Sequence, residues 1–247
     1  MKRVNLPPVD AMYWLALLTA SILGTTFGDF VSEDLSFTFA GAVLPLAAIF
    51  GVILWAEGRS SMRTVAWYWV AIVIFRSTAT TLGDTISRTL GLGYGGVSVA
   101  LAVALVVFLL ITSRQAAGGF TQVESGTRKV LKVDALYWGA LLLASVFGTT
   151  FGDYVSDDTG LGFGLASVLV GGVLLVAVIL DLRARKASDF RYWGIVALVR
   201  TAGTTMGDYV SEGTPHLGFG HAAIVAALAL VMVLGLRSQT AERLAGP

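Results

Sequence analysis

The sequence predicts an all-α polytopic membrane protein of eight transmembrane helices, built from four parallel two-helix repeats in two pseudo-twofold halves. Three observations carry this. Of 247 residues, 55% are hydrophobic and only 13% charged, with a mean hydropathy of +0.77, whereas a soluble domain carries roughly 25% charged residues. Apolar stretches of roughly the 20 residues needed to cross a bilayer recur along the whole chain. One motif is written four times: residues 24–29 read GTTFGD, 79–84 ATTLGD, 148–153 GTTFGD and 203–208 GTTMGD. In each copy the Asp stands 15 residues after a Trp that follows a Tyr, at Trp14, Trp69, Trp138 and Trp193.

The expected spans run 11–31, 37–56, 65–86, 93–112, 135–155, 163–181, 191–210 and 217–236. Within each unit a motif helix ends at its Asp, a short loop follows, and a second helix opens with Gly and an aromatic residue: Phe39, Tyr94, Phe163 or Phe219. Residues 1–112 form the first half, with repeats 11–56 and 65–112. The polar, glycine-bearing stretch 113–133 joins it to the second half, 134–237, with repeats 135–181 and 191–236, and 238–247 is a tail. The hierarchy shows in one position: eight residues before the Asp stand Ser21 and Ser145 in the odd repeats but Arg76 and Arg200 in the even ones. The start, MKRVNLPPVD, has no long apolar run ending in a small-residue cleavage site and reads as no removable signal peptide.

Orientation follows from the cations. All Lys and Arg except Arg76, Arg88 and Arg200 lie in the termini or between repeats, so both termini are expected on the cytoplasmic side of a bacterial inner membrane. Two spans per repeat make all four repeats enter alike, parallel about the membrane normal. The four Asp then lie at one depth near the outer face, followed by Glu33, Asp34, Asp157, Asp158 and Glu212, an acidic vestibule for cations. The adjacent Tyr and Trp pairs read as anchors at the cytoplasmic interface.

On a helix, positions four apart form one slowly drifting stripe. The motif puts Thr25 and Asp29, Thr80 and Asp84, Thr149 and Asp153, and Thr204 and Asp208 on such stripes, which cannot face lipid and must converge inside the bundle. Beside each stripe lie small residues, Gly24 and Gly28, Gly83, Gly148 and Gly152, and Gly203 and Gly207, which permit close helix packing. Hard oxygens from Asp and Thr suit an inorganic cation or a proton, and the four Asp are the candidate metal ligands. Arg76 and Arg200 would balance part of their charge. The expected function is therefore a small transporter or channel for an inorganic cation, divalent or proton-coupled. The alternative is a non-transporting scaffold or sensor whose motifs only pack helices, with each Asp capping a helix or pairing with an arginine.

Enzymatic activity is not expected. There is no Cys, which excludes thiolate chemistry, and His216 and His221 are five apart in one repeat only. Gly91, Gly93 and Gly96 fit a dinucleotide pattern without its strand-helix context. No cofactor beyond a bound cation is implied. The expected partners are the lipid bilayer and a small cation, not nucleic acid, because the basic residues are dispersed; self-association into a homo-oligomer stays open. Four tandem repeats, each opening with an aromatic pair and centred on GTT-x-GD, resemble over 10–237 a bacterial membrane-protein family described only as a repeat of unknown function. The resemblance implies an eight-helix inner-membrane protein and no particular activity. Repeat two departs most, with Ala79 for Gly and residues 85–88 reading TISR.

Overall fold

A computed structural model describes residues 8–35, 39–59, 65–89, 91–115, 121–124, 128–131, 133–184, 188–213 and 216–245. Each of the eight apolar segments is a helix: α1 Ala11–Asp29, α2 Phe39–Arg59, α3 Val65–Thr89, α4 Gly93–Gln115, α5 Ala135–Asp153, α6 Gly162–Arg183, α7 Asp189–Ser211 and α8 Phe219–Ala245. In the odd repeats the motif helix runs on past its Asp as a π-helical turn, Phe30–Asp34 and Tyr154–Asp158. The joint between the halves holds an antiparallel hairpin of β1 Thr121–Glu124 and β2 Arg128–Leu131. The sequence reading gave this stretch only as a polar linker.

Polar side chains start the motif helices. The Asp10 carboxylate accepts the Tyr13 N–H at 2.7 Å and Asp134 accepts that of Tyr137 at 3.0 Å, while Ser188 Oγ does the same for Arg191 at 3.4 Å. Each satisfies a donor that a helix start leaves open. The tight turn into α6 uses Gly160 and Gly162, at φ 73° and 70°, which a side chain would strain.

The motif helices form a closed inner ring: α1 packs on α3, α3 on α5, α5 on α7, and α7 back on α1. The second helix of each unit lies outside, against the next unit's motif helix: α2 on α3, α4 on α5, α6 on α7 and α8 on α1. No unit could bury its polar stripe alone, and stacking four around an axis removes every stripe from the surface. What remains outside is apolar. Leu44, Val52, Val99, Val168, Leu228 and Val231 are all exposed on the outer helices, a continuous apolar surface suited to hydrocarbon and not to water. Among the described residues six helices are long and apolar enough to cross a membrane, Ala11–Asp34, Val65–Arg88, Gly93–Thr112, Ala135–Asp158, Gly162–Arg183 and Phe219–Gln239, which marks a helical membrane protein. The apolar part of α2, Gly41–Glu57, is shorter, and α7 is more polar because Asp189, Arg191, Arg200 and Asp208 all lie on it.

Glycines close the ring. A Cβ placed on Gly28 would lie 2.9 Å from the Ser77 carbonyl oxygen of α3, and one on Gly152 would lie 2.7 Å from Thr204 Cβ of α7. Gly83 and Gly207 face Thr149 and Thr25 at 3.1 Å and 3.3 Å. One turn earlier, Gly24, Gly148 and Gly203 lie against Arg76, Arg200 and Ser21. Each motif helix thus turns its glycine edge to the polar stripe of its neighbour, the close approach that small residues allow.

Candidate functional site

The stripe is longer than the motif. Steps of four residues, each about 6 Å of helix rise, place six tiers around the axis. The first is Tyr13, Tyr68, Tyr137 and Tyr192. Next come Leu17, Ile72, Leu141 and Val196, then Ser21, Arg76, Ser145 and Arg200. All of these twelve are buried. Thr25, Thr80, Thr149 and Thr204 make the fourth tier, the four motif Asp the fifth, and Glu33, Arg88, Asp157 and Glu212 the sixth.

The last three tiers surround one cavity of about 200 Å³, with Tyr94, Phe163 and Phe219 in its wall. The structure therefore brings together all eight Asp and Thr residues picked from the sequence. Asp29, Asp153 and Asp208 are buried, and Asp84 lines the same cavity. At the mouth Arg88, near the end of α3, pairs with Glu33 at 3.4 Å. Both are well exposed, so this pair contributes at most about 1 kcal/mol. Glu212 lies just beyond α7. Burial, and then the neighbouring Glu33 and Asp157, raise its carboxyl above the ordinary value, with His216 opposing them.

Beneath the lining threonines of the cavity stands the fully buried Arg76. Its guanidinium leaves α3 and reaches the other three motif helices: Nη1 donates to Thr149 Oγ1 at 2.6 Å and to the Ser145 carbonyl at 2.9 Å. Nη2 donates to Thr204 Oγ1 at 2.5 Å, Thr25 Oγ1 at 2.9 Å and the Arg200 carbonyl at 3.2 Å. Three of the four threonines expected to face a diffusible cation thus already hold a tethered one. The second Thr of each motif is occupied within its own helix, as Thr26 donating to the Ile22 carbonyl and Thr81 to that of Ser77 show.

Arg200 stands at the equivalent position and does something else. No hydrogen-bond partner reaches its Nε, Nη1 or Nη2, although the side chain is fully buried. Its electrostatic neighbours include the four tyrosine hydroxyls. The pairing of arginine with carboxylate in the alternative reading is absent: among the described residues no ion pair joins Arg76 or Arg200 to an acidic group. Nor do three His, Cys, Asp or Glu groups among them come close enough to hold one metal ion. The four Asp line a cavity instead of converging on a point, so a directly liganded metal at Asp29, Asp84, Asp153 and Asp208 does not follow from this geometry.

The far end is sealed by aromatic residues. The tyrosine hydroxyls form a four-membered ring, Tyr13 to Tyr68 at 3.0 Å, Tyr68 to Tyr137 at 2.9 Å, Tyr137 to Tyr192 at 3.3 Å and Tyr192 to Tyr13 at 2.7 Å. Trp14, Trp69 and Trp193 are buried against it. These residues are therefore a plug and not the lipid-facing anchors expected from the sequence. The signal was present, because Tyr and the aliphatic tier continue the same spacing of four by which the Thr and Asp were found; stopping the stripe at the polar residues missed it.

The family described as Repeat of Unknown Function (DUF347) matches four segments of the chain, residues 12–62, 67–117, 136–187 and 191–241. No curated protein and no solved structure matches it. The chain belongs to the DUF347 repeat family.

Proposed function

We propose that this member of the DUF347 repeat family is a non-enzymatic transporter that takes an inorganic cation or proton into the acidic vestibule. The eight helices then cross a bacterial inner membrane as four parallel repeats in two pseudo-twofold halves, with both termini cytoplasmic and the vestibule facing out. The observation that carries the reading is that the Asp of every repeat lines one cavity, three of whose lining threonines are held from beneath by a buried guanidinium. A carboxylate inside a membrane protein is costly unless it serves a ligand or a partner, and these four have no basic partner within ion-pair distance among the described residues. The cavity has room for several waters, so a cation would enter partly hydrated, with Asp as its counter-charge. Thr80, whose hydroxyl has no partner, is the one threonine free to offer it an oxygen.

Arg76 sets the mechanism. A fixed positive charge on the axis repels a cation at the cavity floor, so passage requires Arg76 to leave its threonine cage while the carboxylates hold the ion. That favours stepwise transport over an open pore. A scaffold or sensor role is the second reading, favoured by the same cage, because three threonines are spent on holding four helices together. Purified protein in liposomes decides between them: transport predicts flux of at least one cation or of protons, lost in Asp153→Asn. Folded wild-type protein that moves no cation from a broad panel, with or without a pH gradient, refutes transport.

A further inference from the structure

We infer that the Arg200 tier is a binding site for a small monoatomic anion of the halide class, separate from the vestibule. Three nitrogens of Arg200, together with Arg76 Nε, Ser21 Oγ and Ser145 Oγ, are buried side-chain atoms of this tier with no hydrogen-bond partner. Arg200, Arg76, Ser21 and Ser145 are each fully buried. Guanidinium nitrogens only donate, and a hydroxyl can donate by rotation. The guanidinium donors of Arg200 thus go unanswered among the described residues, and a guanidinium does not lose its proton to escape the cost.

Among the described residues no acidic group pairs with that charge. The motif carboxylates stand two tiers away, about 12 Å of helix rise. Each tyrosine oxygen is engaged with two neighbours in the ring. The Arg200 carbonyl accepts from Arg76, which brings a second positive group close by. Water would accept these hydrogen bonds but leave the net charge uncompensated in a low dielectric, where a lone ion is heavily penalised. A halide meets both demands. It is an acceptor on every side, and its charge falls between the two guanidiniums. The ion must be small, because Arg76 closes the tier on one side and Leu17, Ile72, Leu141 and Val196 close it on the other.

Bromide serves as the probe. Full-length protein is dialysed in detergent from chloride into sodium bromide, passed through a column equilibrated in sodium gluconate, and its retained bromine measured by mass spectrometry. Thermal unfolding is followed against bromide at constant ionic strength. Stoichiometric retention and saturable stabilisation in wild type, both abolished in Arg200→Gln, are expected. Ser21→Ala and Ser145→Ala keep the charge and the fold; each is expected to raise the half-saturating bromide concentration roughly 10-fold, the effect of one hydrogen bond to an ion. Asp153→Asn, in the vestibule, is expected to retain bromide. Wild type that retains no bromide and melts alike in bromide and gluconate overturns the proposal and leaves water as the ligand. So does retention unchanged by Arg200→Gln or, if that variant does not fold, by the serine variants.

Discussion

Replacing Arg76 and Arg200 by Gln, one at a time, is expected to give unequal results although the two occupy equivalent repeat positions. Arg76 reaches five acceptors on three other helices through its four Nη hydrogens. A hydrogen bond from a charged donor is worth ~1.5–3 kcal/mol, but guanidinium desolvation cancels part of the sum and a Gln amide can remake one or two bonds. A net loss of ~2–4 kcal/mol follows for Arg76→Gln. Arg200→Gln forfeits no hydrogen bond in the protein, keeps the Cβ packed on Gly148, and removes a charge that repels Arg76. In halide-free gluconate its stability is expected within ~1 kcal/mol of wild type, or above it, as when buried ionic groups elsewhere are replaced by neutral ones. Reversible unfolding in mixed micelles, followed by helicity and tryptophan fluorescence together, measures both. Equal losses for the two variants would refute the reasoning, because they would mean that Arg200 has protein partners of the same value as those of Arg76.

Two further outcomes follow from the geometry. Gly152→Ala would drive a methyl to 2.7 Å from Thr204 Cβ, whereas Gly207→Ala meets Thr25 at 3.3 Å; the first is expected to cost ~1–3 kcal/mol by overpacking and the second less, read from thermal dispersal on size-exclusion chromatography. For Glu212, whose carboxyl is raised above its ordinary 4.5 in the fold, the folded state binds the extra proton, so stability gained from this group is present at low pH and is lost as pH rises through the folded value. Glu212→Gln is expected to flatten that part of the stability profile above pH 4.5, and an unchanged profile would contradict the raised value.

Most of the architecture was legible because a repeat constrains its own reading. Eight apolar segments gave eight helices, and a Gly beside a Thr-Asp stripe gave the tight side of each contact. The convergence of Asp29, Asp84, Asp153 and Asp208 followed from the cost of exposing them to lipid. What sequence could not yield was occupancy. Thr25, Thr149 and Thr204 look like free oxygen ligands until the position of one long side chain is known, and periodicity says nothing of whether Arg76 reaches up to the threonines or down to the tyrosines. Tyr and Trp next to a basic loop fit an interfacial anchor equally well, and only their tier on the axis shows them turned inward. The π-helical turns after Asp29 and Asp153 left no composition signal, since repeat four carries a similar YVSE without one.

The inequality of the arginines has a cause in the ring itself. Copies around an axis bring equal residues to one level, and the outcome depends on their chemistry. Four tyrosine hydroxyls suit such a meeting, since each donates to the next and accepts from the last. Four guanidiniums would not, and Ser21 and Ser145 in the odd repeats leave two. Even two cannot occupy one level on the axis. The threonine cage holds a single guanidinium, because Arg76 alone takes Thr25, Thr149 and Thr204. Arg200 is therefore left outside the cage, where no hydrogen-bond partner among the described residues reaches its guanidinium. Its need for a counter-charge is a consequence of twofold sequence symmetry meeting a site with room for one cation, so a chain in which Arg200 alone were Ser should lose the halide dependence and keep the cage.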